Sequence, residues 1–136
     1  MTGAAAEART LVIEREFAHP PERVWRALTQ RELLAEWIMP NDFRAQVGAA
    51  FAMTAEWGKV EGEVLAIEPE RALSYSWNGP GLRSIVHWTL EPIPAGTRLR
   101  MEQTGFRPED KMAWHGARTG WPRFLKSLET VLERID

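Results

Sequence analysis

A chain of 136 residues is the size of one domain and buries roughly two-thirds of its unfolded surface in a single core. Seventeen basic and nineteen acidic side chains, interspersed rather than in blocks, leave a net charge of -2, which argues against a nucleic-acid groove and against insertion or polybasic docking at a membrane. The absence of cysteine excludes disulfides, thiolate nucleophiles and cysteine-ligated zinc, and a cytoplasmic location is expected.

Residues 1–9 read as a flexible tail ahead of a single domain that takes up the rest of the 136 residues: Met1 to Ala6 is small and apolar, but Glu7 and Arg9 interrupt it before a signal-peptide core could form. From Thr10 to Ala18 the residues alternate, with Leu11, Ile13 and Phe17 on one face and Glu14 and Glu16 on the other, as in a half-buried strand. Pro20-Pro21 stops that strand and opens a helix with the apolar stripe Val24, Trp25 and Leu28. Thr29-Gln30-Arg31-Glu32 has the form of a capping box, predicting a second short helix carrying Leu33, Leu34 and Trp37 and ending at Met39-Pro40-Asn41-Asp42.

Between Phe43 and Phe106 turn signals recur at Val47-Gly48, Trp57-Gly58-Lys59, Glu68-Pro69-Glu70, Asn78-Gly79-Pro80-Gly81 and Pro94-Ala95-Gly96, the spacing of an antiparallel meander. Alternation turns Phe51, Met53, Ala55 and Trp57 inward, with Leu73, Tyr75, Trp77, Val86, Trp88, Leu90, Leu99, Met101 and Gln103. Ser74, Ser76, His87, Arg98, Arg100 and Glu102 then face out. Glu61 and Glu63 share a phase with Leu65 and Ile67, and a bulge near Gly62 would reconcile them. No apolar run approaches the roughly 20 residues that a membrane-spanning helix needs.

Beyond Pro108 the period becomes helical, with Trp114, Ala117, Trp121, Phe124, Leu125, Leu128, Val131, Leu132 and Ile135 at three- and four-residue steps. Pro122 removes one backbone bond, so a bend between Gly116 and Pro122 is expected, with Thr119 available to cap a fresh helix. The fold class is α+β: a curved antiparallel sheet of about six to seven strands around a long C-terminal helix, with two short helices after strand 1.

Seven tryptophans are a large share for so short a chain, and five of them fall on positions that look into the gap between sheet and helix. They either fill a thick core or line a partly open pocket. The candidate lining is Phe51, Met53, Trp57, Tyr75, Trp77, Trp88, Met101, Gln103, Trp114, Ala117 and Trp121, with Trp25 and Trp37 assigned to the core. Gln103 is the clearest inward polar residue, and a buried amide needs partners, from a ligand, water, Tyr75 or the helix backbone. His19, His87 and His115 are scattered without carboxylates at ligand spacing, so no metal or other cofactor is expected. Ser74, His87 and Asp42 could be drawn as a triad, but no nucleophile-elbow sequence surrounds a serine, and no catalytic residue is assigned.

The segment Pro21-Glu22-Arg23-Val24-Trp25-Arg26-Ala27-Leu28-Thr29, then Leu34-Ala35-Glu36-Trp37, the Gly96-Thr97-Arg98-Leu99 hairpin, Thr104-Gly105-Phe106 and Gly120-Trp121 resemble one family over about residues 10 to 134. It is the group similar to the C-terminal domain of the activator of the heat-shock-protein-90 ATPase, within the START-like (SRPBCC) helix-grip superfamily. The resemblance implies a cavity between sheet and long helix for a hydrophobic molecule. It transfers no catalytic residue, since members often carry a histidine where Gln103 stands. Three functions remain open: a carrier or sensor of a hydrophobic small molecule, a polyketide cyclase or dehydratase, and a chaperone-binding module, with a weak homodimer or a chaperone as further partners.

Overall fold

The alternation at the start of the chain becomes strand β1 (Arg9–Phe17), which buries Leu11 and Phe17 and leaves Glu14 and Glu16 in solvent. The computed structural model describes residues 9–135. The expected tail lies outside the described residues up to residue 8, whereas Arg9 already pairs with Phe106.

Pro21 supplies the first turn of helix α1 (Pro21–Thr29), which buries Val24, Ala27 and Leu28 and leaves Trp25 half-buried at the edge of the stripe. Helix α2 (Arg31–Trp37) follows after Gln30, without the expected capping box. Thr29 still belongs to α1, and its hydroxyl donates to the Trp25 carbonyl at 2.7 Å, the acceptor one turn back that is nearest to hand. Trp37 is buried and donates its indole N–H to the Ala27 carbonyl at 2.8 Å, fixing α2 against α1. Arg134 of the last helix pairs with Glu36 on the other side of α2.

The remaining strands are β2 (Ala50–Ala55), β3 (Gly58–Glu68), β4 (Ala72–Gly79), β5 (Leu82–Ile93) and β6 (Gly96–Phe106). They form with β1 one curved antiparallel sheet of six strands in the order β1-β6-β5-β4-β3-β2. The connections between β2 and β6 are hairpins at the expected turns, and only β1 joins the sheet from a distance. The bulge in β3 lies between Val64 and Ala66, not at Gly62. Gly62 answers a different need. A Cβ there would meet the Ser76 carbonyl oxygen at 1.9 Å and the Phe51 ring at 2.7 Å, so the missing side chain lets that ring lie on the strand.

On the outer face Arg98 reaches Glu16 at 2.9 Å and Glu91 at 2.8 Å, and Arg100 reaches Glu14 at 3.1 Å, binding β1, β6 and β5 side by side. The neighbouring carboxylates push both guanidinium pKa values further up. Ser74, expected among the outward residues, is buried there beneath His87, with which it is hydrogen bonded.

Helix α3 (Lys111–Arg134) crosses the inner face; its 24 residues span about 36 Å at 1.5 Å per residue. It is one continuous helix through Pro122, and Thr119 caps nothing new: its hydroxyl donates back to the His115 and Gly116 carbonyls. Its fully buried residues are Trp121, Leu125, Leu128, Val131 and Leu132, all from Trp121 onward. In the first ten residues Ala113, Trp114 and Ala117 are only half-buried. No helix of the described residues is long and apolar enough to cross a membrane.

Candidate ligand site between sheet and helix

Register brings the interior together. Tyr75 of β4 stands opposite Val86 of β5, and Val86 opposite Gln103 of β6, while Leu73, Trp88 and Met101 form the next row. Strand spacing of about 4.8 Å places Tyr75 and Gln103 roughly 10 Å apart across Val86. Trp121 comes down from α3 into this region, with its ring centroid 5.1 Å from Trp77 and 5.6 Å from Trp88. Phe51 and Phe43 close the far side, at 5.3 and 5.8 Å from the Tyr75 ring.

Two short polar chains run through this aromatic volume. The Trp121 indole donates to Gln103 Oε1 at 2.8 Å, Gln103 Nε2 donates to Ser84 Oγ at 3.0 Å, and Ser84 donates to the Trp77 carbonyl at 2.5 Å. Separately the Trp88 indole donates to the Tyr75 hydroxyl at 2.8 Å. The amide therefore finds a helix side chain and a strand serine, rather than Tyr75 or the helix backbone. Burial pushes the Tyr75 phenol pKa well up, against a smaller lowering by the Trp88 bond, so the phenol stays protonated at neutral pH.

Of the expected lining, Phe51, Met53, Tyr75, Trp77, Trp88, Met101, Gln103 and Trp121 are buried together, with Gln103 only 1% exposed. Trp57 is not among them: it sits on the β2–β3 turn and is 62% exposed, because the strand alternation ends at Ala55. Trp114 is half-buried away from the three central tryptophans, its ring edge-on to Phe106 at 5.1 Å and beneath the Arg9 guanidinium at 5.1 Å. Ala117 lies half-buried one turn before Trp121.

Ser84 and Phe43 were not singled out from the sequence. Ser84 could have been found, since it is in phase with Val86 and Trp88; Phe43 lies in the irregular segment between α2 and β2 and gives no periodic signal. Of the discarded triad, Ser74 and His87 do meet, but the Asp42 carboxylate accepts from the Ala52 backbone N–H at 2.7 Å instead. Among the described residues, no three His, Cys, Asp or Glu side chains cluster as metal ligands.

A six-stranded antiparallel sheet gripping one long C-terminal helix, with two short helices after the first strand, defines the START-like helix-grip class. The chain belongs to the family described as Activator of Hsp90 ATPase homolog 1-like protein, whose profile matches residues 18–133. Among solved structures it is similar to protein MLL2253 from Mesorhizobium loti, at 52% identity and TM-score 0.90, covering 94% of this chain and 99% of that one. CalU16 from Micromonospora echinospora is similar at 27% identity and TM-score 0.78, over 96% of this chain and 80% of that one. DynU16, a protein of the dynemicin biosynthetic locus, is similar at 25% identity and TM-score 0.78, over 94% of this chain and 48% of that one. No curated protein matches the chain.

Proposed function

We propose that the domain binds a hydrophobic small molecule between the sheet and α3, as a carrier or sensor. The observation that carries this reading is the uneven anchoring of α3: every fully buried residue of the helix lies at or after Trp121. Pro122 stands at the junction and removes the backbone bond that would have ended on the Arg118 carbonyl. The turn before it carries the small residues Gly116, Ala117 and Gly120. Lifting residues 111–120 from a hinge at Trp121 would give up the half-buried contacts of Ala113, Trp114 and Ala117, Trp114 with Phe106 among them, but none of the fully buried side chains of the helix, and would open the aromatic interior beside Gln103.

An aromatic interior with a few fixed polar groups suits an apolar ligand bearing one polar function. Burial keeps the phenol of Tyr75 neutral, so it offers a ligand a hydrogen-bond donor and no base. The similarity to a protein of a biosynthetic locus fits a small-molecule ligand. The test is titration with Nile red, a neutral apolar dye, monitored by tryptophan emission. Saturable quenching is expected, and Ala117→Leu should weaken it by occupying the space under the lifting segment, with little change in stability. Absence of saturable quenching in the wild type, with strong destabilisation by Ala117→Leu, would mean a closed core and overturn the reading.

A further inference from the structure

Hydrogen-bond accounting in the interior specifies the polar group of the ligand. An indole N–H only donates. Trp121 therefore forces the oxygen of Gln103 toward itself, and the amide nitrogen toward Ser84, which removes the usual ambiguity of amide orientation. Ser84 spends its proton on the Trp77 carbonyl and must accept from Gln103. One N–H of Gln103 is left without an acceptor among the described residues. By the same logic Trp88 obliges the Tyr75 oxygen to accept, and the phenolic proton is left without an acceptor among the described residues.

Both remainders are donors. The oxygens of Gln103, Ser84 and Tyr75 each already accept one bond within the protein, so a ligand proton would find only a second lone pair, whereas the two spare donors have no partner at all among the described residues. Buried unpaired donors are rare and costly, so a ligand gains most by bringing an acceptor. The acceptor should also be neutral. The buried polar and charged residues are Ser74, Ser84, Thr97, Gln103 and Asp110, with no cation among them to balance a buried carboxylate.

We infer that the site selects an apolar molecule carrying a neutral carbonyl, such as a ketone, ester or lactone, which accepts from the Gln103 amide, the Tyr75 phenol or both. The inference rests on the ligand-binding reading above and names its ligand class. Hinging before Trp121 leaves the Trp121 to Gln103 bond in place, so the spare N–H persists in the open state.

The experiment compares three probes of one shape: benzophenone, diphenylmethanol and diphenylmethane, titrated by tryptophan quenching. The ketone should bind about tenfold more tightly than the hydrocarbon, the gain of one or two buried hydrogen bonds. Its carbonyl stretch should move to lower wavenumber on binding, and Tyr75→Phe should narrow the ratio of ketone to diphenylmethane affinity. Should Tyr75→Phe fail to fold, the wild-type series and the carbonyl stretch decide alone. Equal binding of ketone and hydrocarbon, an unshifted stretch, or tightest binding of the alcohol would overturn the inference while the ligand-binding reading stands. If none of the three binds, that reading fails and the inference falls with it.

Discussion

Replacing Gln103 by Leu removes two side-chain hydrogen bonds and strands the Trp121 N–H in the core. The stranded donor costs about 1 to 3 kcal/mol and the lost bonds about 1 each, against about 1 to 2 kcal/mol returned by the more apolar side chain. A net loss of about 2 kcal/mol is expected. Trp121→Phe keeps an aromatic ring beside Trp77 and Trp88 but strands Gln103 Oε1 and loses volume, for about 2 to 3 kcal/mol. In the double variant neither orphan exists, so its loss should fall short of the sum of the single losses by about 1 to 2 kcal/mol. Urea unfolding of the four proteins, with a constant denaturant slope as the control, measures this coupling directly. Additivity within about 0.5 kcal/mol would refute the bond as an energetic link between α3 and β6.

Tyr75 is the one tyrosine of the chain, so its ionisation can be followed by tyrosinate absorbance without assignment. Because burial raises its folded pKa above the unfolded value, both states are neutral below about pH 10, and above it the unfolded state ionises first. Stability should then fall by about 1.4 kcal/mol per pH unit relative to Tyr75→Phe, and a phenol titrating near pH 10 in the folded protein would contradict its burial. The two helix tryptophans should separate: Trp37→Ala should cost about 3 to 5 kcal/mol and half-buried Trp25→Ala about 1 to 2, so equal losses in chemical denaturation would contradict their different packing.

Strand alternation and turn residues made the meander legible almost residue by residue, because each inward position from Leu73 to Gln103 answers to a two-residue period enforced by one buried face. The period fails where the backbone changes type. Trp57 continues the alternation on paper but occupies a turn, and Thr29 has cap chemistry yet finds a nearer acceptor in its own helix. The bulge of β3 was misplaced because Gly62 signals either a bulge or a close approach, and only the Phe51 ring decides between them. The central grouping of Tyr75, Trp77, Trp88, Gln103 and Trp121 followed from alternation combined with the helical period. Its polar wiring did not, since which indole meets which oxygen depends on side-chain directions that spacing leaves undetermined.

The pairing of β1 with β6 is long-range in sequence, unlike the hairpins beside it. Strands β2 to β6 join through hairpins and can close locally within microseconds, whereas Phe17 must find Thr97. Closing a loop of about 80 residues costs about 4 kcal/mol of chain entropy on top of a length-independent term, before any contact repays it. During synthesis β1 leaves the ribosome well before its partner β6, with Leu11 and Phe17 still to be covered. The charges Glu14 and Glu16, whose partners Arg100 and Arg98 lie on β6, disfavour pairing of that waiting strand with another of its kind.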